Sequence, residues 1–201
     1  MIGTNHFNVP TFSVDTYIIK TKFNLTIMAT KWNIDPMHSE VQFKVKHLVI
    51  STVTGQFNKF EGSLESDQED FDGAKAEFKL ESASIDTNVT DRDNHLKSPE
   101  FFDAEKFPHI KFTNGKLTKT GNDYKLMGDL TIKENTKPIT LDVEYGGSMV
   151  DGYGQNKAGF EITGKINRKE FGLTWNAVTE AGGVVVGDEV KLQLNVQVTQ
   201  S

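Results

Sequence analysis

Apolar and polar residues alternate along most of the chain after residue 30, the pattern of strands that bury one face. It is clearest near the C-terminus, where Val190, Leu192, Leu194, Val196 and Val198 share one parity and charged or amide side chains take the other. We predict eight strands, in segments 32–49 with a break at Pro36, 56–66, 74–80, 109–118, 124–132, 139–145, 158–166 and 186–198.

Several of these strands exceed the five to six residues that are typical. Long strands joined in order by short connections predict an all-β fold, an eight-stranded antiparallel barrel that is closed. A two-layer sandwich is the alternative, but it usually has shorter strands and crossover connections. The interior of an eight-stranded barrel is either filled by side chains or holds one small ligand. The alternation of apolar and polar residues does not distinguish these two cases.

Residues 84–112 interrupt the alternation with a polar cluster followed by aromatic residues. Thr90 is the predicted N-cap of a short helix, because Asp93 follows three residues later, and Pro99 ends that helix. We therefore predict a helical plug around residues 90–98, with an apolar and a polar side. One interpretation is a helical turn that caps a sheet; the other is a plug that closes a ligand cavity.

The composition of the chain argues against several classes of binding partner and several kinds of catalytic or metal site. The net charge of -6 and pI near 5.4 argue against nucleic acid and against an anionic membrane surface. No apolar run is long enough for stable membrane insertion. The absence of cysteine excludes thiolate metal sites and cysteine catalysis. Fourteen phenylalanines suit a dry interior or the wall of an apolar cavity.

Residues 1–28 lack both the strand pattern and the features of a secretory signal. We expect them to be an extension that is disordered or not native, with Met28 as the natural start and residues 29–201 as one domain. The alternative is an extra ordered strand. The lack of a signal favours a cytoplasmic location, with the periplasm as the alternative.

Five motifs occur in order: Trp32-x-Ile-Asp-x-x-His-Ser-x-Val-x-Phe43; Ser84-Ile-Asp-Thr with Arg92-Asp-x-His-Leu-Lys-Ser-Pro-x-Phe-Phe-Asp103; Phe107-Pro-x-Ile-x-Phe112; Gly128-x-Leu-Thr-Ile132 with Thr136-Lys-Pro138; and Arg168-x-x-Phe-Gly-Leu-x-Trp175 with Val186-Gly-Asp-Glu-Val190. Together they closely resemble the YceI-like polyisoprenoid-binding family. The resemblance implies a lipocalin-like barrel whose lumen holds a long isoprenoid chain, without established catalysis. It also implies a homodimer as a candidate assembly.

We therefore expect a carrier, sink or storage protein for an isoprenoid lipid, either a polyprenyl phosphate or pyrophosphate or a quinone-like molecule. No cofactor, metal or catalytic residue is expected. One alternative is a small-molecule enzyme that uses His95, Asp93 and His38 as acid–base groups, and another is a β-rich stress or interaction protein with a filled core. The polar candidates for ligand binding are Arg92, Asp93, His95 and His38. The apolar candidates are Phe43, Phe78, Phe101, Phe102, Phe107, Phe112, Phe160, Trp175, Leu192 and Leu194.

Overall fold

The structure, a computed structural model, describes residues 29–177 and 185–201. The expectations about residues 1–28 concern a segment outside these ranges. The described chain forms eleven strands and one α-helix: β1 Thr30–Ile34, β2 Glu40–His47, β3 Ser51–Phe57, β4 Phe60–Ser66, β5 Lys75–Glu81, β6 Ile85–Asp86, α1 Thr90–Lys97, β7 His109–Thr120, β8 Asp123–Ile132, β9 Asn135–Val150, β10 Asn156–Asn167 and β11 Val186–Gln200. Short 3-10 helices occupy Pro36–His38, Ser82–Ser84 and Arg168–Phe171.

These strands close one barrel with eight positions. Three positions each consist of two short strands placed end to end. β1 and β2 make the first position, and both pair with β11. β4, which pairs with β1, and β3, which pairs with β2, make the second position. β5 and β6 make the third position, since they pair with β4 and β3. β7 to β11 supply the other five, and the pairing of β1 with β11 closes the ring. All pairings are antiparallel, which confirms the predicted all-β, eight-stranded barrel.

Three of the eight positions are broken. The break at Pro36 is as predicted, and Asp35 stabilises it by accepting a hydrogen bond from the Met37 amide. A second break, at residues 58–59, was not predicted. There the amides of Asn58 and Lys59 donate to the backbone and hydroxyl oxygens of Ser84, instead of continuing a strand.

Two further segments differ from the sequence pattern. Val49, expected in a strand, lies in the exposed turn between β2 and β3. The connection expected between the strands predicted at 139–145 and 158–166 is shorter, because β9 continues to Val150 and β10 begins at Asn156. Gly147 permits this with a φ of 109°, at an irregularity in the pairing of β9 with β10.

The barrel has two distinct ends. The plug end carries α1, the β2–β3 turn at 48–50 and the β8–β9 turn at 133–134; the far end carries the 67–74 connection and the β7–β8 turn at 121–122. The helix at Thr90–Lys97 confirms the predicted plug, but its predicted N-cap is wrong. Val89 is the N-cap and makes no side-chain hydrogen bond there.

Candidate ligand-binding cavity

A cavity of about 240 Å³ lies inside the barrel. It is larger than the ~150 Å³ of a dry protein cavity that accepts benzene. All eight barrel positions contribute apolar side chains to its wall. Eight of the predicted apolar candidates line it: Phe43, Phe78, Phe101, Phe102, Phe112, Phe160, Leu192 and Leu194.

Glycines on the inner face of the barrel determine where the largest side chains lie. A Cβ atom on Gly128 would lie 2.4 Å from Cζ of Phe112, and one on Gly55 would lie 2.4 Å from Cζ of Phe43. Both distances are too short for real contacts, so each ring occupies space that only glycine leaves free. The glycines thus let phenylalanine rings lie close to the wall, which keeps the centre of the barrel open.

The far end of the cavity is closed by a layer of aromatic rings around Phe71. Its ring centroid lies 5.2 Å from that of Trp32, 5.3 Å from that of Phe160 and 5.7 Å from that of Tyr145. The Tyr124 hydroxyl donates to the carbonyl oxygen of Asp70, which holds the 67–74 connection over this layer. Burial raises the pKa of this phenol, against the opposing effect of Lys119.

The strands predicted at 56–66 and 74–80 leave residues 67–73 as a connection, and the predicted ligand-binding residues omit Phe71. The available signal was a single aromatic residue among five acidic and amide side chains. Phe71 is nevertheless only 2% exposed, because the connection folds inward across the open end of the barrel.

The plug end is closed by α1 and the residues after it. Leu96, Phe101 and Phe102 reach the cavity from this segment. The Phe102 ring packs edge-on against Phe57, with centroids 5.9 Å apart, and Phe57 lies 5.7 Å from Phe43. This row of rings joins the plug to the barrel wall.

Arg92 and Asp93 attach the helix to the barrel through Thr87, which is 3% exposed. Arg92 donates from Nε to the Thr87 hydroxyl and from a terminal nitrogen to the Thr87 carbonyl, both at 2.7 Å. Oδ1 of Asp93 accepts from the Thr87 amide at 2.9 Å and from its hydroxyl. Neither residue lines the cavity, and the contacts they make hold the plug.

His95 lies on the outer side of the plug. Its Nε2 is 2.5 Å from a carboxylate oxygen of Glu100, and its ring packs edge-on against Phe101 and Trp175, at 5.0 and 4.8 Å. Neither His95 nor Trp175 lines the cavity. Trp175 instead packs against the outer side of Phe101, at 5.1 Å, and so supports a ring that does line it.

His38 and Phe107 are also away from the cavity. His38 is exposed beside the barrel, where its Nδ1 is 2.9 Å from Asp35. Lys157 and Gln197 contact the same carboxylate. Phe107 is half-buried below the ammonium groups of Lys106 and Lys133. The structure therefore does not gather His38, Asp93 and His95 into one acid–base site.

Arg168 is a cavity-lining residue that the site prediction omitted, although it opens one of the five motifs. Its guanidinium donates to the carbonyl oxygens of Leu173, Trp175, Val186 and Gly187. Burial lowers its pKa, and Asp188 opposes that shift. These bonds join the chain before and after residues 178–184 at the rim of the barrel.

Within residues 29–177 and 185–201, no group of three or more His, Asp or Glu side chains is placed to hold a metal ion. The same ranges contain no helix long and apolar enough to cross a membrane.

A closed antiparallel barrel with an apolar interior and a plugged end is the architecture of lipocalin-like barrels, which hold one small ligand. The profile of the YceI-like domain matches residues 32–198. A UPF0312 protein of Staphylococcus epidermidis is 41% identical over 169 residues, which cover 84% of this chain and 96% of the relative. The chain therefore belongs to the YceI-like family.

Two solved structures share the fold. BcnA of Burkholderia cenocepacia superposes with a TM-score of 0.71 at 21% identity, over 82% of this chain and 98% of BcnA. A polyisoprenoid-binding domain of Saccharophagus degradans, implicated in plant cell wall breakdown, superposes with a TM-score of 0.60 at 11% identity, over 85% of this chain and 98% of that domain.

Proposed function

We propose that this protein binds an isoprenoid lipid by its tail, inside the barrel, as a carrier, sink or storage protein. The observation that carries the proposal is the cavity inside the barrel, because most residues that line it are apolar and burial against such a wall stabilises an apolar tail. Its family, and the polyisoprenoid-binding domain of S. degradans with the same fold, support the choice of an isoprenoid.

The tail is the part of the ligand that the cavity suits. Arg92 and Asp93, the predicted contacts of a phosphorylated head, make their hydrogen bonds to Thr87. The donors of Arg168 point to backbone carbonyls. We therefore expect affinity to depend on tail length more than on the chemistry of the head.

The cavity also sets a limit on tail length. On β11 its lining runs from Val186 to Val198, which spans about 30 Å along the barrel axis for a strand tilted ~40°. That length holds about six extended isoprene units of roughly 5 Å each. This is the lower end of the roughly six to eight units that an open lumen of this height would hold, and the Phe71 layer closes the far end against longer tails.

A titration with isoprenoid alcohols of graded length tests the proposal. Burying each methylene contributes about 0.8 kcal/mol, so affinity should rise at least about tenfold per isoprene unit after ordering costs, then level off. Leu192→Trp and Leu194→Trp should move the plateau to shorter tails, because both side chains line the cavity. Asn195→Trp is the matched control, since Asn195 is exposed on the same strand.

Affinity that ignores tail length would contradict a tail-binding cavity. The same conclusion would follow if the two inward tryptophan variants, shown to be folded by their melting curves, bound long tails as well as the wild type does.

The contacts of the predicted acid–base groups do not support the alternative of an enzyme. His38 lies outside the barrel, and His95 and Asp93 contact Glu100 and Thr87 rather than the cavity. No contact among the described residues favours that alternative.

A further inference from the structure

The turn between β2 and β3 presents three consecutive apolar side chains to solvent. His47 and Ser51 are register partners, so residues 48–50 form the tip of this hairpin. Leu48 is 38% exposed, Val49 72% and Ile50 86%. Packing among residues 29–177 and 185–201 therefore does not account for these side chains, and an exposed apolar group of this kind indicates a contact surface.

The backbone of the tip makes the choice of residues more unusual. Leu48 has a φ of 51° and Val49 a φ of 64°. A turn with two such residues ordinarily takes Asn and Gly, and a β-branched residue at positive φ is strained. The tip thus keeps apolar side chains at positions where local chemistry favours polar ones, and strain of this kind concentrates at functional segments.

Charge along the same hairpin indicates what the tip contacts. The hairpin, residues 40–57, contains two lysines and one acidic residue, Glu40, so it carries +1 while the remainder of a chain with net charge -6 carries -7. Lys44 and Lys46 occupy the outward parity of β2, and Lys191 of β11 is the register partner of Lys44. Asp188 and Glu189 lie in the irregular pairing beside Lys46, and they contact Arg168, Lys169 and Lys165. Lys44, Lys46 and Lys191 therefore leave this face basic, and it complements an anionic surface.

The hairpin also lies at the plug end of the cavity. Val45 and Val186 line the cavity, and His47 beside the tip pairs with Val186. A surface that holds the tip therefore lies close to the end at which the plug closes the lumen.

We propose that residues 48–50 insert into the apolar boundary of an anionic lipid bilayer while the lysines of the hairpin contact its headgroups. Such docking is shallow and reversible, as for other interfacial apolar segments with basic flanks. It differs from stable insertion, and it goes beyond the proposed function because it holds whichever ligand the lumen takes.

Flotation of the full chain with vesicles tests the proposal. The wild type should bind vesicles of equal parts phosphatidylglycerol and phosphatidylcholine far more than vesicles of phosphatidylcholine alone. A Val49→Asn, Ile50→Ser variant should bind the anionic vesicles at least about tenfold more weakly, because two apolar side chains are removed. Asn suits the positive φ at position 49, so this variant should fold.

Lys46→Gln should weaken binding about fivefold, since each basic residue near such a surface contributes about 1 kcal/mol. Two matched controls should bind as the wild type does. Tyr153→Ser removes an equally exposed apolar residue at the far end (Tyr153 is 93% exposed), and Lys116→Gln removes an exposed lysine on β7.

The proposal is overturned if the wild type stays off anionic vesicles, or if Tyr153→Ser loses as much binding as the tip variant. Self-association without vesicles that the tip variant abolishes would instead assign the tip to a second copy of the chain. The variants should keep wild-type affinity for a short soluble isoprenoid alcohol without vesicles. Failure of the wild type to bind that alcohol would count against the proposed function and not against docking.

Discussion

The far end of the barrel is closed by packed aromatic rings, whereas the plug end is closed by a short helix that hydrogen bonds to Thr87 and by the rings that follow the helix. Phe71 and Tyr124 are 2% and 3% exposed. Helix α1 buries none of its own residues and relies on Arg92, Asp93 and the rings that follow it.

This difference assigns separate roles to the two ends. An aromatic layer cannot move without exposing a large apolar surface, so the far end serves as the fixed base of the cavity. A helix with few buried contacts belongs to the least stable part of a fold. We therefore expect ligand to enter and leave at the plug end.

The largest effect is expected when the aromatic layer at the far end is disrupted. Phe71→Ala should lower the free energy of unfolding by about 3–5 kcal/mol, because a buried ring is replaced by a void. Urea titration measures this loss. The variant should also accept longer isoprenoid tails, since the void extends the cavity.

Tyr153→Ala is the control at the same end, and it should change stability by no more than about 0.5 kcal/mol, as exposed substitutions usually do. A loss for Phe71→Ala that does not exceed that of the control would show that the ring layer is not the base of the barrel.

A smaller effect is expected when the plug is loosened. Arg92→Ala removes two hydrogen bonds to Thr87 and should lower stability by about 1.5–3 kcal/mol. Ligand should dissociate faster, and phosphorylated isoprenoids and their parent alcohols should weaken equally. Amide exchange should accelerate in α1 before it does in β7.

Asn94→Ala changes an exposed residue of the same helix and should leave exchange and dissociation almost unchanged. A selective loss of the phosphorylated ligands in Arg92→Ala would instead place Arg92 at the lipid head.

The smallest effect is expected for the buried Tyr124 phenol at the far end, whose contribution to stability depends on alkaline pH. Tyr124→Phe removes the hydrogen bond to Asp70 and should lower stability at neutral pH by about 1 kcal/mol. Burial raises the pKa of the Tyr124 phenol in the folded state. Its contribution is therefore complete below the unfolded pKa of about 10 and is lost as pH rises through the folded value.

Urea titrations from pH 8 to 11 should accordingly show a steeper alkaline loss of stability for the wild type than for Tyr124→Phe. Tyr153→Phe, at an exposed position, should follow the wild type. If all three proteins lose stability in parallel, the buried phenol does not contribute to the alkaline loss.

The regular parts of the molecule could be predicted from sequence because their signal is local. Alternation along β11 placed Leu192 and Leu194 on the inner face, and both line the cavity. The position of α1 followed from the polar cluster and Pro99. The hydrogen bonds of α1 could not be predicted from sequence. Thr90 and Asp93 have the spacing of an N-cap and its partner, but Asp93 accepts hydrogen bonds from Thr87 instead.

What the sequence determined by itself is the number of barrel positions, the inward parity of the unbroken strands such as β11, and the family, because each depends on periodicity or on motifs in order. Only the tertiary structure decided which residues of the connections are buried at the ends of the barrel and which stay exposed. Phe71, Arg168 and the 48–50 tip lie in connections without periodicity. Their burial or exposure depends on how each connection crosses or leaves the end of the barrel, and no local sequence pattern predicts that path.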